Sequence, residues 1–170
     1  MEYTFETSYT AKTMTLMARA LRKTIRKKHS QRSHIFGGIV MLMGILLIFT
    51  KDTLNFQTFL SVLAVLMILV TLLFEDHMNG YIAKKRLLPG TENATTVFTE
   101  EGFMTTTSIG TTKWKYDKIL HIAELHDFIV FIFSASHAQL YDKRTLQGGS
   151  IEDYRSFIET VTGKRIEYIK

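Results

Sequence analysis

Two apolar runs separated by four polar residues constrain this chain more than any other feature. The first is Ile35 to Phe49, IFGGIVMLMGILLIF, and the second is Leu54 to Phe74, LNFQTFLSVLAVLMILVTLLF. Only Thr50-Lys51-Asp52-Thr53 lies between them, and neither run contains Asp, Glu, Lys, Arg or Pro. A bilayer-spanning helix needs about 20 mainly apolar residues, with a range of about 17–25. The second run meets that length. The first reaches it by taking in Ser33, His34 and Thr50, with Arg32 and Lys51 long enough to snorkel to the interface. The reading is a transmembrane helical hairpin over residues 34–75, preferred to a buried pair of core helices because charge is excluded over the full length of both runs.

Charge is distributed unevenly around this centre. The net charge is +5, yet residues 1–33 hold eight basic and two acidic residues while residues 91–170 hold nine basic and eleven acidic. A nucleic-acid-binding role needs a basic face on a folded domain, so no nucleic-acid partner is expected. The chain has no Cys, which excludes disulfides, thiolate catalysis and Cys-based zinc sites. Residues 1–34 are too polar for a cleavable leader, so the hairpin is expected to remain in the mature protein.

Ahead of the hairpin, Tyr3, Phe5, Thr7 and Tyr9 alternate with polar residues, a strand pattern that needs a sheet partner from elsewhere. From Thr10 or Ala11 the period becomes helical, with Met14, Met17, Ala18, Leu21 and Ile25 on one stripe. Residues 1–33 therefore read as a strand plus a basic amphipathic helix. That helix lies either on an anionic leaflet or against the protein's own soluble part.

Arg19, Arg22, Lys23, Arg26, Lys27, Lys28 and Arg32 precede the first span, and Lys84, Lys85 and Arg86 follow the second. These ten are the candidate membrane-surface contacts. Positive charge marks the cytoplasmic side, so both termini are expected in the cytoplasm and Thr50–Thr53 outside. Gly37 and Gly44 on the first span, facing Ser61, Ala64, Ile68 and Thr71 on the second, are the expected seam. A channel or transport role is disfavoured, because neither span carries an ionisable residue.

Residues 76–90 read as a helical extension and linker stopped by Pro89-Gly90. Residues 91–170 then read as β-rich. Strands are expected at Thr95–Thr99, Phe103–Ile109, Thr111–Tyr116, Ile119–Leu125, Phe128–Phe133 and Ala138–Tyr141. The continuous run Phe128–Phe133 is the strand buried on both faces. Ser150, with Asp153 three residues on, caps a last helix whose stripe is Ile151, Tyr154, Phe157, Ile158 and Val161, ending at Gly163. The fold class is an α+β membrane protein: a two-helix transmembrane hairpin plus a small antiparallel sheet or open barrel closed by a C-terminal helix.

Several stretches carry a family resemblance. They are Phe98-Thr99-Glu100-Glu101-Gly102-Phe103, Thr112-Lys113-Trp114-Lys115-Tyr116-Asp117-Lys118-Ile119, Leu140-Tyr141-Asp142-Lys143-Arg144 and Tyr154-Arg155-Ser156-Phe157-Ile158. In this order, behind two apolar spans, the chain resembles the YcxB-like family of bacterial membrane proteins. Tyr141-Asp142 stands where such proteins often carry a proline before the basic pair. The resemblance implies a pleckstrin-homology-like (PH-like) domain on a membrane anchor and location in the cell membrane. It implies no reaction.

Trp114, the only Trp, is expected in the core of the β-domain, with a ligand or interface role second. By fold analogy Lys143 and Arg144, with Lys113, Lys115 and Lys118 and with Trp114, form a candidate anion or partner patch; a solvated surface is the plainer reading. His121, His126 and His137 lack ligand spacing, so no metal is expected. There is no G-x-S-x-G and no phosphate loop, so no catalytic residues and no cofactor are assigned. The expected function is a membrane-tethered cytoplasmic binding or regulatory module that is not an enzyme. The expected partners are the lipid bilayer, anionic lipid headgroups, and an unidentified protein or a second copy. The alternatives are an accessory subunit of a membrane enzyme or transporter, or a bacterial self-immunity membrane protein.

Overall fold

The computed structural model describes residues 2–49 and 55–169. The predicted loop Thr50–Thr53 and the first residue of the second run, Leu54, lie outside the described residues. Strand β1 (Tyr3–Ser8) leads into helix α1 (Ala11–Lys23), and a short turn leads on to α2 (Lys27–Phe49). The chain returns through α3 (Phe56–Leu73) and α4 (Glu75–Lys85) to β2 (Asn93–Thr99). Strand β1 pairs antiparallel with β2, from Tyr3 opposite Phe98 to Ser8 opposite Asn93. The four helices are therefore one long insertion between two hydrogen-bonded neighbour strands. The strand pattern at Tyr3–Tyr9 does join the sheet that follows the apolar runs, as its alternation required.

Helices α2 and α3 are each long and apolar enough to cross a membrane, by length and composition, and both are almost wholly unburied. They touch along a heptad-spaced seam. On α2 the less exposed positions include Ser30, His34, Gly37, Met41, Gly44 and Ile48; on α3 they are Thr58, Ser61, Val65, Ile68 and Leu72. Alternating steps of three and four residues are the spacing that keeps one helix face against its partner. A Cβ on Gly44 would sit 2.7 Å from Val65 Cγ2, so the glycine is what lets the axes approach there. The seam differs from the sequence reading on α3, where Ala64 and Thr71 face outward and Val65 and Leu72 face Gly44 and Gly37.

Helix α2 begins at Lys27, eight residues before its apolar run, because nothing in KKHSQRSH breaks a helix. The second run does not pass smoothly into the following segment: Phe74, at φ −108° and ψ 20°, ends α3 and starts α4. Helices α1 and α4 cross closely at Gly80, where an added Cβ would meet the Thr15 backbone at 2.6 Å.

The remaining strands are β3 (Gly102–Thr107), β4 (Gly110–Trp114), β5 (His121–Glu124), β6 (Phe128–Ile132), β7 (Ala138–Asp142) and β8 (Ile166–Tyr168), with α5 (Ile151–Thr162) before the last. They form two four-stranded sheets, β1-β2-β3-β4 and β7-β6-β5-β8, and no closed barrel is present among the described residues. The expectation of a small sheet or open barrel is met in part: the strands divide between two sheets. Strand β8 was not anticipated: a three-residue IEY after Gly163 is too short to show a period, and it is held by parallel pairing with β5.

Strand β6 is buried at every position, as its unbroken apolar run predicted. One face of its sheet joins the aromatic core of Tyr3, Phe5, Phe98, Phe103, Tyr141 and Tyr154, closed by α5. The other face, Val130, Ile132, Ala138 and Leu140, packs on Ala20 and Leu21 of α1. Ser150 and Asp153 form the expected reciprocal cap of α5, and Gly163 ends it in the left-handed region at φ 64°.

Candidate functional site

The helices and sheets meet at the base of the hairpin, where a polar cluster is assembled from three helices, α1, α2 and α4. Asp76, in the first turn of α4, is 7 % exposed. Arg22 of α1 grips it in fork geometry, Nε donating to Oδ1 at 2.6 Å and Nη2 to Oδ2 at 2.7 Å. Arg19 adds a longer contact at 3.5 Å. Beside it, Ser30 Oγ donates to Glu75 at 2.9 Å, and His34 Nε2 lies 3.7 Å from the same carboxylate. Both acids sit at the start of α4, where the helix dipole favours negative charge. The hydrogen bond it donates to Asp76 holds the Arg22 guanidinium pKa above its usual value. Ser30 Oγ also lies 3.3 Å from His34 Nδ1. What this arrangement does is fix α1 and α2 to α4.

The predicted membrane-surface residues therefore divide. Arg19 and Arg22 are spent on Asp76, and Arg26 Nε donates to the Ala135 carbonyl at 2.5 Å. Lys23, Lys27, Lys28 and Arg32 are exposed around the start of α2, and Lys85 and Arg86 around the end of α4, with Lys84 half-buried. Lys85 lies 4.7 Å over the Tyr81 ring. Lys23, Lys27, Gln31 and His34 line one wall of a cleft of about 880 Å³ that reaches Ile35, the first residue of the apolar run. Its opposite wall is Glu167, Tyr168 and Ile169.

The predicted patch of Trp114, Lys143 and Arg144 is not brought together. Lys143 and Arg144 follow Asp142 at one end of the β6–β7 hairpin, and Trp114 stacks on Phe133 and His137 at the other. The two basic residues are also occupied. Arg144 forks onto Asp142 at 2.8 and 2.6 Å, and Lys143 Nζ reaches Glu124 at 2.8 Å.

Glu124, 3 % exposed, also takes Arg155 at 3.0 and 2.6 Å. Burial pushes its carboxyl pKa up, but the hydrogen bonds from Arg155 and Lys143 outweigh that and hold it below the ordinary value. Sequence reasoning missed Glu124 and Asp76 as anchors. The one available signal was an acid at an inward position of the strand ILHIAEL, which demands a cation.

Trp114 is half-buried rather than mostly buried, with its indole Nε1–H enclosed and without an acceptor among the described residues. Its ring stacks on Phe133 at 4.8 Å, with His137 at 5.5 Å on the same pile. Burial lowers the His137 pKa below its usual value. His126, near the opposite end of the sheet, is exposed and bonded to Asp127, and His121 is exposed on β5.

No curated protein matches the chain. One similar solved structure is described as "Structure of the Spt16D Pob3N heterodimer": 16% identity, TM-score 0.32, covering 44% of this chain and 44% of that one. The chain thus spans less than half of that relative, and a likeness this slight carries no argument. Residues 98–158, from the inward Phe98 of β2 to Ile158 of α5, match the family model described as YcxB-like protein, and that match supports assigning the chain to the YcxB-like family.

Proposed function

We propose that the chain is a membrane-tethered, non-catalytic binding module that holds a PH-like β-domain against the cytoplasmic face of the cell membrane. One observation carries this reading. The outward faces of α2 and α3 leave Phe36, Leu42, Leu46, Phe49, Phe59 and Leu66 half or more exposed. Soluble monomers rarely expose a contiguous apolar surface of that extent. A bilayer would cover it, and every backbone group inside the two helices is already bonded within them. The sheets, α1 and α4 all lie at the end of the hairpin that carries Lys23 to Arg32 and Lys84 to Arg86. By the positive-inside rule that end is cytoplasmic, which gives two spans with both termini inside.

The PH-like assignment draws on the two antiparallel-rich sheets with one helix, α5, closing the core between them. The exposed lysines and arginines around the base suit anionic lipid headgroups, with Lys27 beside the cleft at Ile35 best placed for a phosphate. A protein partner or second copy would act on the β-domain held below. The test is membrane fractionation. The chain is expected in the membrane pellet after alkaline carbonate extraction, and recovery in the soluble fraction without detergent would overturn the tether.

A further inference from the structure

Between the helical layer and the threonine-rich half of the first sheet runs a groove of about 800 Å³. Sites for small molecules fall in this size range, about 300–1,000 Å³. Its roof is Met14, Met17 and Leu21 of α1 with Ile82 of α4, and its floor includes Thr105 and Trp114. Arg26 and Arg86 line it, and no carboxylate among the described residues does. The Trp114 Nε1–H, enclosed and without an acceptor among the described residues, belongs to the same lining.

We infer that this groove is a binding site for a long-chain fatty-acid anion, with the acyl chain under the α1–α4 roof and the acidic head on Arg86. Three physical points select this occupant. The charged side chains of the lining are both arginines, which are complementary to an anion. The roof presents methionine, leucine and isoleucine, which adapt to a flexible chain and give no hydrogen bonds. A peptide would leave backbone groups unpaired against that roof, whereas an acyl chain has none to satisfy. The third point rests on the membrane-tether reading: α1 and α4 continue into α2 and α3, so the groove lies directly under the bilayer surface, where such amphiphiles concentrate.

Trp114 is the only Trp, so its emission reports the groove without labelling. The full chain in phosphatidylcholine nanodiscs is titrated with a dibrominated stearate, a heavy-atom quencher. Saturable quenching at one ligand per chain, reversed by unbrominated stearate, is expected, and the uncharged methyl ester should not saturate. Ala83→Phe, which fills the groove from α4, should abolish the saturable phase. Arg86→Glu, at an exposed position, should weaken it several-fold. Quenching that rises linearly with bromine in the bilayer, or that is unchanged in Arg86→Glu, overturns the proposal. The two readings fail separately: a chain that stays in the discs yet shows no saturable quenching loses the ligand and keeps the tether, and a chain that carbonate strips from membranes loses the tether.

Discussion

Arg22 and Asp76, 54 residues apart, are joined by two hydrogen bonds of 2.6 and 2.7 Å across the base of the hairpin. The carboxylate is nearly enclosed while the guanidinium side chain keeps about a quarter of its surface, 27%, in solvent. The pair is therefore asymmetric. Arg22→Ala strands a buried charge and should cost about 2–4 kcal/mol. Asp76→Asn leaves a cation that can turn to water and should cost less. Thermal unfolding of the detergent-solubilised variants ranks the two; equal losses would mean that the pair is solvated.

Glu124 sets an acid limit on the β-domain. Its carboxyl is held below the ordinary carboxylate value by Arg155 and Lys143, against the upward push of burial. A depressed folded-state pKa gives stability that is present above the unfolded value, about 4.3, and is lost as pH falls through the folded one. Glu124→Gln should be less stable than wild type at neutral pH, and the gap should close in acid. Melting temperatures measured from neutral pH down to about pH 3 test this. A constant gap would remove Glu124 as the titrating group.

The elements legible in sequence were those with a long period or a chemical signature. The Ser150–Asp153 cap, the all-buried FIVFI strand and the Met14–Leu21 stripe carry their structure locally. What was not legible is set by distant partners. Strand β8 exists because β5 offers an edge, and the seam on α3 follows from where Gly44 lets Val65 in. The same reasoning explains the candidate patch. Lys143 and Arg144 look like a basic pair in sequence, but Glu124, nineteen residues away, and Asp142 claim them.

The tether predicts a specific sensitivity on the outer face of α3. Leu63 and Leu66 are 44% and 50% exposed there and lie off the seam positions Ser61, Val65, Ile68 and Leu72. Replacing both by Arg should leave the hairpin seam intact but block insertion, each mid-span Arg costing about 2.5–3.5 kcal/mol. Loss of carbonate-resistant membrane association is the readout. A double variant that still resists extraction would place this face in contact with protein or water.

Orientation can be read because the natural chain has no Cys. Cysteine introduced at Thr53 should react with an impermeant maleimide in intact cells, and cysteine at the exposed Ser136 only after lysis. The reverse pattern would invert the topology and place the β-domain outside.

The final prediction concerns β1, which looks dispensable in sequence because it stands alone ahead of the helices. In the structure Tyr3 and Phe5 are 2% and 0% exposed, and they sit inside the aromatic core. Phe5 packs edge-on to Phe98 at 5.7 Å and to Tyr154 at 4.8 Å. Its strand also bonds Gln147 through both backbone groups of Thr4, at 3.0 and 2.9 Å. Phe5→Ala should cost about 3–5 kcal/mol, the range for emptying a buried aromatic site. Domains of this kind have about 5–15 kcal/mol in total. Removing residues 2–9 deletes both aromatics and the ladder to β2, and should unfold the β-domain rather than weaken it modestly. It should also release α1, whose N-terminal anchor is this strand. Limited proteolysis in detergent follows both events: cleavage is expected within the β-domain and in α1, with the α2–α3 pair left as a resistant fragment. A truncated chain that keeps a protease-resistant β-domain would show that β1 is an added edge and not a member of the core.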